Sequence, residues 1–213
     1  MKLTAAQIDE LFLFTEKKYV RYYDLQVELV DHLATRIEEV MQHDKIPFEA
    51  ALQKVYKDFG LFGFSKVVQE KEQQVKRAGR RLLWQEITKL FSWPEISLVA
   101  CIGIITWQLT DWVSLDILFP IFFIAWITAS IYLIAIALKK RKQQKKELLG
   151  LPLYPVIGPV WAFEYFFIFR AGYTSPVIFC MIVVMGIVIK LASQRVYRNT
   201  RRQAAFLYPE AFA

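Results

Sequence analysis

Apolar residues follow two different spacings along this chain. Up to about residue 62 they recur every three or four positions. Ile8, Leu11, Phe12 and Phe14 form one set, and Tyr22, Leu25, Leu29, Leu33, Ile37 and Val40 a second. Phe48, Leu52, Val55 and Phe59 form a third. Such spacing gathers side chains on one helix face, and it predicts three amphipathic helices around a small shared core. The end signals agree. Thr4 and Gln7 have the spacing of a capping box, in which hydroxyl and side-chain amide satisfy free N–H groups. Lys17 and Lys18 suit the negative end of the first helix. Pro47 suits the first turn of the third, and Gly60 can adopt the left-handed conformation that closes it. A core of this size is marginal alone, so docking onto the rest of the chain would strengthen it.

The spacing changes after residue 62. Residues 63–92 predict a long linking helix, polar at first around Glu70–Gln74, then basic, then aromatic and apolar at Leu83, Trp84, Ile87, Leu90 and Phe91. A basic segment followed by an aromatic face fits a helix at the lipid headgroup level. Beyond it the apolar runs become long enough to cross a bilayer, which takes roughly 20 residues. Three predicted spans are 94–112, anchored by Trp93 and Trp112; the charge-free 117–138; and 175–193, with Lys190 reaching toward the headgroups. A further segment, 151–169, contains Pro152, Pro155, Gly158, Pro159 and the charged Glu164. Prolines are tolerated in membrane helices with a kink, so a full crossing is expected there, with a re-entrant segment as the competing reading. The predicted fold is all-α: a cytosolic helical domain over 1–62, the linking and interfacial helix over 63–92, a four-span bundle over 93–202, and a cytosolic tail over 203–213.

Charge adds an orientation. The chain carries 27 Lys and Arg against 20 Asp and Glu. Residues 1–75 hold 10 basic and 13 acidic residues, whereas 17 basic and 7 acidic residues follow. The basic residues flank the apolar runs: Lys76, Arg77, Arg80 and Arg81 before the first; Lys139, Lys140, Arg141 and Lys142, followed by Lys145 and Lys146, between the second and third; and Arg195, Arg198, Arg201 and Arg202 after the last. The loop 110–116 between the first two spans holds two aspartates and no base. Lys and Arg are enriched in cytoplasmic loops, so four spans put every basic segment on that side, with both termini cytoplasmic. The expected partner of these segments is a bilayer with anionic headgroups. Nucleic acid is not expected, because the run 139–146 lacks interleaved aromatic residues for stacking. The first residues lack the apolar core of a signal peptide, so export of the amino-terminal domain is not expected.

Candidate chemistry is sparse. Cys101 and Cys180 each lie in an apolar run, where a thiol packs as a small apolar group, and no CxxC or Cys/His cluster occurs. No metal, cofactor or catalytic residue is therefore assigned, and no GxSxG, HExxH, GxxxxGK or GxGxxG motif is present. Glu28, Asp31 and His32 share the second helix and are candidates for contact with a partner, since i and i+4 side chains lie on one face. They are too few for a metal site without ligands elsewhere. Glu164 is the one ionisable residue within a predicted span's interior that stands apart from its ends, and such a group must face protein, water or a partner.

The most specific pattern is Tyr22-Tyr23-Asp24-Leu25-Gln26-Val27-Glu28-Leu29-Val30-Asp31-His32-Leu33, then Ile37-Glu38-Glu39, Phe48-Glu49-Ala50-Ala51-Leu52 and Asp58-Phe59-Gly60. It resembles the small helical domain, called HAAS or DUF1700-like, at the amino terminus of certain bacterial inner-membrane proteins. The resemblance covers about residues 20–62. It implies a multi-pass protein of the bacterial cytoplasmic membrane, regulatory or accessory rather than enzymatic, whose helical domain binds a protein partner or another copy. The chain departs from that pattern where Leu61-Phe62-Gly63-Phe64 leads into a long charged helix. The alternative is a small transporter or channel component that uses Glu164. An enzyme acting on lipid would need clustered acid, base or metal groups near the headgroups, and the sequence offers none.

Overall fold

A computed structural model describes residues 2–60, 62–142, 144–151 and 175–212. All regular structure among them is helical: α1 (Ala5–Lys17), α2 (Tyr23–Asp44), α3 (Phe48–Lys57), α4 (Ser65–Leu90), α5 (Glu95–Trp112), α6 (Leu115–Lys142), α7 (Pro176–Leu207) and a short 3-10 turn at Pro209–Ala211. The segment 152–174, with the predicted span 151–169 and Glu164, lies outside the described residues apart from Leu151. The chain divides into two compact units.

The first unit comprises Met1–Val75, Gln144–Gly150 and Ala204–Ala213. Local signals start its helices. The Thr4 hydroxyl accepts the Gln7 N–H at 3.3 Å while the Gln7 side chain accepts the Thr4 N–H at 2.9 Å. Gly60 closes the turn after α3 with φ +72°, and its N–H donates to the Lys57 carbonyl. The apolar stripes then meet: Leu11 of α1, Leu25, Leu29, Leu33 and Ile37 of α2, and Phe48, Ala51, Leu52 and Val55 of α3 are all buried. The core does not stop at α3. Phe64, just before α4, is 1% exposed and sits edge-on to Phe14, Tyr56 and Phe59, with ring centroids 6.2, 5.2 and 4.8 Å away. Val67 and Val68 of α4 pack behind it.

Two segments far away in sequence complete this unit at the first turn of α2. The Asp24 carboxylate accepts the backbone N–H groups of Leu149 and Gly150, at 2.9 and 2.8 Å. The Tyr23 N–H donates to the Glu147 carbonyl at 2.7 Å, and the Tyr23 hydroxyl to Glu210 at 2.6 Å. The Lys145 N–H donates to the Ala211 carbonyl at 3.0 Å, which ties the two segments to each other.

The second unit comprises Lys76–Gln143 and Leu151–Gln203. Here α7 packs against several neighbours. Val188 and Ala192 lie with Ile87 and Leu90 of α4 and Val99 of α5, while Phe179, Ile182 and Val183 lie with Phe119 of α6. Arg195 reaches Glu95 at 3.2 Å. Lys190 does not turn toward the headgroups as expected. Its ammonium donates to the Trp126 carbonyl at 3.1 Å and the Ser130 hydroxyl at 2.9 Å, and lies 3.9 Å from the Trp126 ring centre. Three electron-rich groups on α6 hold a cation that α7 would otherwise leave among apolar side chains.

Among the described residues two helices, α6 and α7, are long and apolar enough to cross a membrane. A third candidate arises only when α4 and α5 are taken together, and that pair is bent by 77°. The predicted span 94–112 thus corresponds to α5, an 18-residue helix that includes Glu95, Gln108 and Asp111 and falls short alone. Many apolar side chains of these helices point outward, among them Ile104, Ile105, Ile121, Ile124 and Ile131, each more than half exposed. An outward apolar surface of that kind is what a lipid-facing helix presents.

Because Phe64 joins rings from α1, α3 and the turn after it, Phe64→Ala is expected to destabilise the first unit by about 3–5 kcal/mol. Unfolding of the full chain in mild detergent checks this; a loss below 1 kcal/mol, on the order of a surface change, would show that the ring is not central.

Candidate functional site

On α2, Glu28, His32 and Arg36 follow one another at intervals of four and so form a line beside the buried stripe Leu25, Leu29 and Leu33. This line makes one rim of a groove of about 440 Å³ in the first unit. Its floor is apolar, formed by Leu25 and Leu29 of α2, Val55 and Phe59 at α3, and Val67 of α4. Ion pairs link the rims at both ends. Lys71 of α4 donates to both oxygens of Glu28, at 2.7 and 2.5 Å. At the other end Arg36 meets Asp58 at 3.4 Å, with both side chains about 60% exposed, so that pair contributes little to stability. His32 stands exposed between them.

The arrangement suits a ligand with an apolar ridge and polar flanks, such as one face of a helix, because floor and rim differ in polarity and the groove is open. Of the residues singled out in the sequence, Glu28 and His32 come together on this rim. Asp31 is exposed on another part of α2 and does not line the groove. Arg36 and Lys71 were not singled out. Arg36 was legible as the next step of the Glu28–His32 spacing, whereas Lys71 lies 43 residues from Glu28 and carried no local signal. Lys76, Arg77, Arg80 and Arg81 all lie on α4, and Lys139, Lys140, Arg141 and Lys142 form the exposed last turn of α6, where cations suit the helix dipole. Glu164 lies outside the described residues. Among the described residues no group of three His, Cys, Asp or Glu side chains is placed to hold a metal ion.

One turn before the groove, the start of α2 carries a second polar cluster. Lys146 lies 3.7 Å from the centre of the Tyr23 ring and 3.8 Å from Glu210, so the phenol, the ammonium and the carboxylate form one group. The hydrogen bond to Glu210 is the main reason the Tyr23 phenol is pushed up to about 12; burial and the negative charge of Glu210 act in the same direction. Burial, then the charges of Asp24 and Glu28, raises the nearby Tyr208 as well. None of these contacts was legible from spacing, since Tyr23 and Glu210 are 187 residues apart.

Comparison of the chain with protein-family models, curated proteins and solved structures returns no match.

A folded-state value of about 12 for Tyr23, against 10.0 for a free phenol, gives a signed expectation. The stabilisation is fully present below pH 10 and is lost as the pH rises toward 12, because the unfolded chain releases that proton first. Unfolding of the detergent-solubilised chain across that range is expected to show this loss, and Tyr23→Phe to lack its share of it. Equal slopes in both proteins would mean that the phenol is not held by Glu210.

Proposed function

We propose that this chain is a non-enzymatic, regulatory or adaptor protein of the bacterial cytoplasmic membrane, which binds a protein partner through the groove between α2, α3 and α4. The groove carries this reading: an apolar floor framed by charged residues, on a unit distinct from the apolar helices. The resemblance to regulatory inner-membrane proteins points the same way.

Connectivity supports four crossings. A bilayer cannot pass through a compact unit, so residues 2–75, 144–150 and 204–212 share one side of it. Crossings between 75 and 144 are then even in number, so with α6 as one of them the bent pair of α4 and α5 is the candidate for the other. Crossings between 150 and 204 are also even. With α7 as one of them, an even number agrees with the crossing expected from the sequence at 151–169, which lies outside the described residues apart from Leu151. The basic run at 139–142 and the arginines at 195–202 favour the cytoplasm as the shared side.

Site-specific photo-crosslinking in cells tests the groove. A photoreactive side chain at His32, on the rim, is expected to give a discrete protein adduct at several times the yield of the same group at Asp31, off the rim. Equal yields from both positions, or none from His32, would remove the groove as the binding surface. Topology is checked separately: thiol labelling of Lys140→Cys and Arg202→Cys in a chain lacking Cys101 and Cys180 is expected only after the membrane is permeabilised. Labelling of either from outside intact cells would overturn the four-span arrangement.

A further inference from the structure

Within the second unit, α4 carries an exposed stripe that neither the groove nor the spans account for. Arg77, Arg80 and Trp84 fall within about 60° of the helix circumference at 100° per residue, and Phe91 follows directly after the last residue of α4. All four are exposed, Trp84 by 67% and Phe91 by 44%. The buried residues of the same helix are Gly79, Ile87 and Leu90, of which Ile87 borders the stripe and Gly79 and Leu90 lie farther round the helix. Arg81 flanks the stripe, and Trp93, just beyond the helix, is 82% exposed.

Two observations identify what this stripe meets. First, α4 and α5 are bent by 77°, so when α5 runs along the membrane normal α4 lies close to the membrane plane. Second, the stripe pairs guanidinium groups with large aromatic rings. Guanidinium binds phosphate oxygens in a fork, and indole prefers the boundary between headgroups and acyl chains. A helix in the plane of the membrane, with both residue types on one face, matches an anionic bilayer surface in charge and in polarity profile.

We propose that Arg77, Arg80, Trp84 and Phe91 form a headgroup-binding face that seats α4 on the anionic phospholipids of the bilayer crossed by α6 and α7. It rests on the membrane-embedded reading above and adds a specific lipid class and a specific face. The basic turn Lys139–Lys142 is not that face: it has no aromatic partner and ends a helix that runs across the membrane.

Native mass spectrometry of the full chain, released from mild detergent containing equal amounts of phosphatidylglycerol and phosphatidylcholine, tests it. The unaltered protein is expected to retain phosphatidylglycerol several-fold over phosphatidylcholine. Arg77→Gln with Arg80→Gln is expected to bring that preference close to parity, since each basic residue near an anionic surface contributes roughly a fivefold factor. Arg77→Lys with Arg80→Lys keeps the charge and should retain most of it, and Lys2→Gln with Lys57→Gln, exposed in the first unit, should leave it intact. Thermal unfolding of each variant confirms an unchanged fold, and Trp84→Ala, which alters no charge, gives an independent loss. No lipid preference in the unaltered protein, an unchanged preference after both arginines are replaced, or an equal loss in the Lys2 and Lys57 variant overturns the proposal. So does the loss of a co-purifying acidic protein from the arginine variant with its lipid preference intact. Alkaline extraction separates the two readings: release of the chain from membranes defeats membrane embedding, whereas an embedded chain without headgroup preference defeats only this face.

Discussion

The contact between Asp24 and the N–H groups of Leu149 and Gly150 constrains more of this chain than any other. It is a pair of charge-assisted hydrogen bonds, the stronger kind, made by a carboxylate that also sits in the first turn of α2, where negative charge is favoured. Together with the Tyr23 contacts to Glu147 and Glu210, it fixes the segment after α6 and the segment after α7 to the amino-terminal helices. A bilayer cannot run through hydrogen bonds of this length. The placement of three sequence-distant stretches in one unit thus restricts the path of everything between them.

That constraint could not be read from the sequence, and the reason is physical. The helices α1, α2 and α3 were legible because side-chain burial repeats every three or four residues, and Leu25, Leu29, Leu33 and Ile37 obey that period. The bonds from Leu149, Gly150 and Lys145 are made by backbone N–H groups, which every residue but proline has, so they leave no signature in residue type. Phe64 was hidden for a related reason: it lies between helices, outside any periodic stripe, yet it is among the largest fully buried side chains. In the groove, Glu28 and His32 were legible as an i, i+4 pair, whereas Lys71 depends on how α4 returns past α2.

The second unit obeys a different rule. In water the outward-facing Ile104, Ile105, Ile121 and Ile124 would be a liability, whereas in hydrocarbon they cost nothing and polar groups carry the penalty. Hydropathy therefore located α6 and α7 but was silent on what lies between them. Lys190 shows the limit. Near the end of an apolar run a lysine is expected to extend to the headgroups, yet α6 offers it a carbonyl, a hydroxyl and an indole face within 4 Å. Near a packed neighbour the nearest electron-rich groups prevail over the more distant water. Sequence alone cannot make that comparison, because it depends on which helix stands beside α7.

Within the first unit, α2 has a further property. Its first turn holds the segments that continue from α6 and α7, and its next turns supply Leu25, Glu28, Leu29 and His32 to the groove. Successive turns of an α-helix are about 5.4 Å apart and rigidly joined by backbone hydrogen bonds. The groove rim and the anchor for the membrane segments therefore belong to one body. Whatever occupies the groove contacts the same helix that Leu149 and Gly150 hold, so any free energy that distinguishes two positions of α2 is felt at both places, and equally in each direction. A single helix makes that connection, with Asp24 at one end and His32 two turns on.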